Sequence, residues 1–136
     1  MKKSNSIFQK IVLITGILNF PIGLMMIVPA LLKPNPESLI TTVVVGAFIM
    51  FAGAALIWST KDLQTRASIV VWNGLVRGIG VLSVVYTTTI GIVPTEQLVV
   101  TGLDFLLFLI YIIGSVKITG ISFINLLLAK NIQVYK

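Results

Sequence analysis

Residues 11–32 read IVLITGILNFPIGLMMIVPALL, twenty-two consecutive residues without a charge. A hydrocarbon core about 30 Å thick is crossed by roughly 20 helical residues rising 1.5 Å each, so this stretch is long enough to span a bilayer. Lys33-Pro34-Asn35-Pro36 ends it, because the prolines cannot continue a helix and the polar residues suit a turn. Three more apolar runs follow, at about 39–58, 67–93 and 97–116. The most polar stretch of the chain, Ser59 to Arg66, separates the second from the third, and Pro94-Thr95-Glu96 separates the third from the fourth. Backbone groups in lipid must pair internally, which leaves helices or the strands of a closed barrel. Unbroken apolar runs lack the alternation of a barrel strand, so the runs are helices. The expected fold is an all-α integral membrane protein. It is a four-helix transmembrane bundle forming a single membrane domain over residues 1–136.

Composition agrees. Of 136 residues, 57% are hydrophobic and only 10% charged, against roughly 25% charged in an ordinary soluble domain. The chain has no cysteine and no histidine, which removes disulfides, thiol redox chemistry, and the commonest metal ligand and general base. Its +6 net charge lies between apolar runs, where basic residues report orientation rather than nucleic-acid binding. Lys2, Lys3, Lys10, Lys61, Arg66, Lys117, Lys130 and Lys136 all fall on one side of the expected topology, against Lys33 alone on the other. Both termini are therefore expected in the cytoplasm, and the protein in a bacterial inner membrane. The first run exceeds the roughly 7–15 residues of a cleaved signal, so it is expected to stay as a span. Trp58, Trp72, Tyr86 and Tyr111 are expected as headgroup-level anchors. Residues 121–129 are too short to span. They suit an interfacial helix drawn, with Lys130 and Lys136, to anionic lipid; the alternative is a simple continuation of the fourth helix.

Residues 11–19 can be laid on residues 69–77, matching Gly16 with Gly74 and Asn19 with Arg77. After a one-residue slip, Glu37, Leu39 and Thr42 fall on Glu96, Leu98 and Thr101. The chain then reads as two repeated helical hairpins of the same orientation, although apolar segments also align by chance.

Two charges lie within the expected spans, each at an insertion cost of roughly 2.5–3.5 kcal/mol. Counted at 1.5 Å per residue, Arg77 and Asp104 reach nearly the same depth from opposite sides, and Asn19 falls level with them. Thr15 and Asn73 lie one turn away. The expected buried polar cluster is thus Asn19, Arg77, Asp104, Asn73 and Thr15. On the fourth helix, Thr101, Asp104, Phe108, Tyr111 and Ser115 follow steps of three and four, one stripe on an aliphatic helix that should face inward. Gly74 and Gly78 frame Arg77; Gly16 and Gly23, and Gly46 and Gly53, recur at seven. Such spacing permits close helix approach. Pro21 should free a backbone carbonyl near Asn19. The cluster admits two roles: an ion bridge that fixes helix register, or a substrate, ion or proton site.

The glycine-flanked arginine of Trp72-Asn73-Gly74-Leu75-Val76-Arg77-Gly78, together with Asp104 in the fourth span, resembles the small, mostly uncharacterised bacterial four-helix membrane proteins of the DoxX-like kind. The resemblance lies in layout over most of the chain. It implies an inner-membrane protein, some of whose counterparts look like subunits of membrane oxidoreductases. The remaining carboxylates, Glu37, Asp62 and Glu96, are dispersed over the loops, so no acid/base pair, metal cluster or cofactor site is expected and the chain reads as no enzyme. Its expected role is an accessory subunit or homo-oligomeric membrane component whose partners are lipids, copies of itself or another membrane protein. The alternative is a small-solute or ion carrier or channel using the Arg77, Asp104 and Asn19 site.

Overall fold

A computed structural model of the chain describes residues 3–130, with side chains from residue 7 onward. Lys2 and Lys136, and the side chain of Lys3, all counted above for orientation, lie outside the described residues. Five helices follow one another: α1 (Lys3–Leu32), α2 (Leu39–Ser59), α3 (Leu63–Thr89), α4 (Gln97–Thr119) and α5 (Phe123–Leu127). No strand occurs among the described residues. The first four helices are long and apolar enough to cross a membrane, and their outward faces carry large exposed apolar side chains such as Phe48, Phe51, Leu82 and Val99. The chain is thus an all-helical protein with the character of an integral membrane protein. It divides into two compact units, residues 1–62 and 63–136.

The first unit is the α1–α2 hairpin. Its turn is built by Asn35, whose side-chain oxygen accepts the Glu37 N–H at 3.0 Å while its carbonyl accepts the Leu39 N–H at 2.8 Å. Pro21 and Pro29 lie inside α1 and deprive the Ile17 and Met25 carbonyls of their usual donors. The two helices approach backbone to backbone at two levels. A Cβ on Gly16 would stand 3.0 Å from the Gly53 carbonyl oxygen, and one on Gly23 would stand 2.6 Å from that of Gly46. Glycines seven apart on each helix fall on one face two turns apart, so antiparallel pairing matches Gly16 with Gly53 and Gly23 with Gly46. At the open end, Gln9 Nε2 donates to the Thr60 carbonyl at 2.7 Å. The Ser59 and Thr60 hydroxyls turn back onto the Leu56 and Ile57 carbonyls, which finishes α2 with its polar groups paired.

The second unit is the α3–α4 hairpin with α5 folded onto it. α3 starts at Leu63, ahead of the apolar run, and stops at Thr89 rather than near Val93. The stop has a local cause. Gly91 takes a left-handed φ of 76°, and the Ile92 N–H reaches back to the Thr87 carbonyl at 2.9 Å, a helix-ending motif that suits glycine. α4 ends likewise at Gly120, φ 68°, whose N–H bonds the Val116 carbonyl. The Thr119 hydroxyl then donates to the Ser115 carbonyl and accepts the Ile121 N–H, turning the chain back. Leu126 packs on Ala67 and Val71, with Phe123, Ile121 and Ile112 around them.

α5, at Phe123–Leu127, falls within the stretch expected as an interfacial helix. It closes with the Ala129 N–H on the Leu126 carbonyl and the Lys130 N–H on the Asn125 carbonyl, with Ala129 at φ 50° where glycine is usual. A left-handed alanine costs about 1 kcal/mol. Ala129→Gly is therefore expected to stabilise α5 by about that amount, read as slower amide exchange at Lys130. Exchange that is unchanged or faster would show that the left-handed residue carries no strain.

Candidate functional site

The two charges within the spans meet in the second unit. Gly74, Arg77 and Gly78 share one face of α3, three and four residues apart. A Cβ on Gly74 would touch Tyr111 Cβ at 3.1 Å, and one on Gly78 would touch the Phe108 ring at 3.1 Å. The missing methyls therefore let α4 bring its aromatic residues against α3 on either side of Arg77. Asp104, Phe108 and Tyr111 follow at steps of four and three on α4, so the same approach presents the carboxylate to the guanidinium. Arg77 Nη1 donates to Asp104 Oδ1 in a salt bridge. The guanidinium carbon also lies 5.9 Å from the centroid of the Tyr111 ring, within cation–π range.

This arrangement offsets the cost of the charges in three ways. The pair has no net charge, its hydrogen bond is charge-assisted, and the arginine rests on an aromatic face. Burial is uneven. The Arg77 side chain is 19% exposed and that of Asp104 is 42% exposed. Phe105 and Phe108, with ring centroids 6.2 Å apart, follow Asp104 within the next turn of the helix. Asp104 keeps acceptor capacity beyond the bond from Arg77, since an ionised carboxylate offers about four lone-pair sites.

The buried residues of α4 are Thr101, Tyr111 and Ser115, so its polar and aromatic stripe is the face turned to α3. Tyr111 is therefore no headgroup anchor. It is completely buried, and its ring is occupied by Arg77. The Thr101 hydroxyl returns to the Gln97 carbonyl at 2.8 Å. Ser115 Oγ and Thr88 Oγ1 are buried without a hydrogen-bond partner among the described residues, a cost of about 1–3 kcal/mol each.

Asn73 lies half-buried one turn before Arg77 on the same face of α3. Thr15 and Asn19 belong to the first unit. The Thr15 hydroxyl donates to the Ile11 carbonyl at 2.8 Å, and Asn19 is buried, its Cβ 2.8 Å from where a Cβ on Gly53 would stand. Two polar contacts are not anticipated by the sequence pattern: Gln9 with Thr60, and the Trp72 indole N–H with the Leu127 carbonyl at 2.8 Å. Among the described residues, no group of three or more Asp, Glu, His or Cys gathers as metal ligands. No protein-family model, no curated protein and no solved structure matches this chain.

Proposed function

We propose that this chain is a small integral protein of a bacterial inner membrane, with both termini cytoplasmic. It acts by association, as an accessory subunit or homo-oligomeric component, and performs no catalysis of its own. The observation that carries the proposal is that the Arg77–Asp104 salt bridge and the Tyr111 ring beside the guanidinium all lie within a single hairpin. A charge pair whose partners neutralise each other and sit between two helix-packing glycines suits the fixing of helix register. The exposed apolar faces of the four long helices offer surface to lipid or to neighbouring transmembrane helices. The proposal keeps the DoxX-like layout, which rests on Arg77 and Asp104. It also keeps the duplicated hairpin, supported by one correspondence: Gly16 faces Gly53 and Leu56, while Gly74 faces Tyr111 and Ile112.

A second reading, a small-solute or ion carrier using Arg77, Asp104 and Asn19, is favoured by the 42% exposure of Asp104. One pair of measurements separates the two. The protein, extracted in mild detergent, is weighed by native mass spectrometry, and is also reconstituted in liposomes for proton and monovalent-cation flux. Association predicts more than one copy, or a stoichiometric membrane-protein partner, and flux no greater than that of empty liposomes. A lone monomer with flux that disappears in a folded Asp104→Asn variant would replace it with the carrier reading.

A further inference from the structure

The end of the α3–α4 hairpin where α5 folds back has a chemistry of its own. α5 lies with Leu126 and Phe123 turned to Ala67 and Val71, while Ile124 and Leu128, one turn apart, face outward at 64% and 53% exposure. Lys117, in the last turn of α4, and Lys130, just beyond α5, are both exposed at this end. The start of α3 brings Arg66 to the same end. Asp62, which directly precedes α3, offsets one of these cations, while Glu96 stands at the opposite end of α4 and Asp104 is bonded to Arg77. This end is therefore positive within its unit, and an apolar step sits among the cations. Trp72 is half exposed beside it. Its indole N–H is held by the Leu127 carbonyl, which ties the ring to the back of α5.

We propose that this surface binds the headgroups of anionic phospholipids. Lys117 and Lys130 engage the phosphates, while Ile124 and Leu128 enter the boundary between headgroups and acyl chains. Charge complementarity selects the occupant. Ammonium groups near a bilayer surface draw anionic lipid, and exposed aliphatic side chains one helical turn apart suit the acyl boundary rather than water. The indole of Trp72 is at home at the same level. Such a contact pins the α5 end at a fixed depth and makes the hairpin sensitive to the lipid composition of its membrane. The proposal rests on the bilayer placement of the long helices and not on the association reading. A monomeric protein with the lipid preference would end the latter and keep this one.

The test uses the full chain with Trp58→Phe, which leaves Trp72 as the sole tryptophan. It is reconstituted in phosphatidylcholine vesicles holding an equal minor fraction of brominated phosphatidylglycerol or of brominated phosphatidylcholine. Anionic brominated lipid is expected to quench Trp72 about threefold more than the zwitterionic form. The excess should fall to about one with Lys117→Gln and Lys130→Gln together, and should weaken in high salt. Both substitutions are at exposed positions, and unchanged helical circular dichroism verifies the fold. Equal quenching by the two lipids in the parent protein overturns the proposal, as does a preference that survives the double substitution. A preference abolished by inorganic phosphate at constant ionic strength also overturns it, since the site would then serve a soluble anion.

Discussion

Gly53→Val is expected to cost the first hairpin about 3 kcal/mol or more. A Cβ there would stand 2.5 Å from the Gly16 carbonyl oxygen and 2.8 Å from Asn19 Cβ. Backbone on a facing helix cannot turn aside as a flexible side chain can, so the helices must separate. Separation also gives up the dispersion and weak Cα–H···O contacts of the Gly23 and Gly46 level. In lipid these contacts matter more than they would in water, because no hydrophobic gain between helices replaces them. Gly80 is the matched control. A methyl group added there would have nothing within 4 Å, so Gly80→Ala should be neutral or stabilising by up to about 1 kcal/mol. Reversible unfolding in mixed micelles, followed by circular dichroism, reads all three proteins. A Gly53→Val protein as stable as Gly80→Ala would show that the α1–α2 seam is looser than its two glycine levels require.

The second large effect concerns the ion pair. Asp104→Leu alone is expected to destabilise the second hairpin by about 3 kcal/mol, because the Arg77 guanidinium is left without its counter-charge. That is the low end for a buried pair, consistent with a carboxylate that remains 42% exposed. Adding Arg77→Met should restore most of the loss, since replacing a buried pair with apolar groups is often neutral or better. Exchanging the charges, Arg77→Asp with Asp104→Arg, should recover less. Tyr111 lies under position 77, and a carboxylate there faces the negative face of the ring instead of a cation. Thermal unfolding of the four proteins in detergent provides the comparison. An Asp104→Leu protein as stable as the parent would mean that the pair is not there for folding, and the flux measurement would then carry the functional question.

The long helices are legible because span length is a crude, robust signal. Twenty apolar residues leave few other structures open to the chain. The ends of α3 are less so. The apolar run continues through Ile90, Ile92 and Val93, yet the helix stops at Thr89 because a left-handed glycine at position 91 outranks the hydropathy around it. The glycine and the following Pro94 carry that signal, and an apolar count passes over both. Counting residues puts Arg77 and Asp104 at one depth, and the two side chains do meet. Tyr111 has two signatures that conflict. Its residue type suggests a headgroup anchor, whereas its place in the three-and-four stripe directs it to the helix seam, and periodicity prevails. The Gln9–Thr60 and Trp72–Leu127 contacts leave no trace in the sequence. Each joins a side-chain donor to a backbone carbonyl more than fifty positions away, and every residue has such a carbonyl.

Each hairpin is closed by contacts drawn from its own stretch of chain, the first complete by residue 62. For a ribosome delivering this protein to a membrane, that has a temporal consequence. Gln9 finds Thr60, and the glycine levels interlock, as soon as the second helix is released, while the third is still emerging from the ribosome. Arg77, by contrast, leaves the ribosome about 27 residues ahead of the carboxylate that pairs with it. Translation at roughly 5–20 residues per second leaves it waiting for a few seconds. During that interval the long arginine stem can reach toward the headgroups, and the arrival of α4 draws the charge inward. The second hairpin therefore depends on the order of synthesis in a way the first does not.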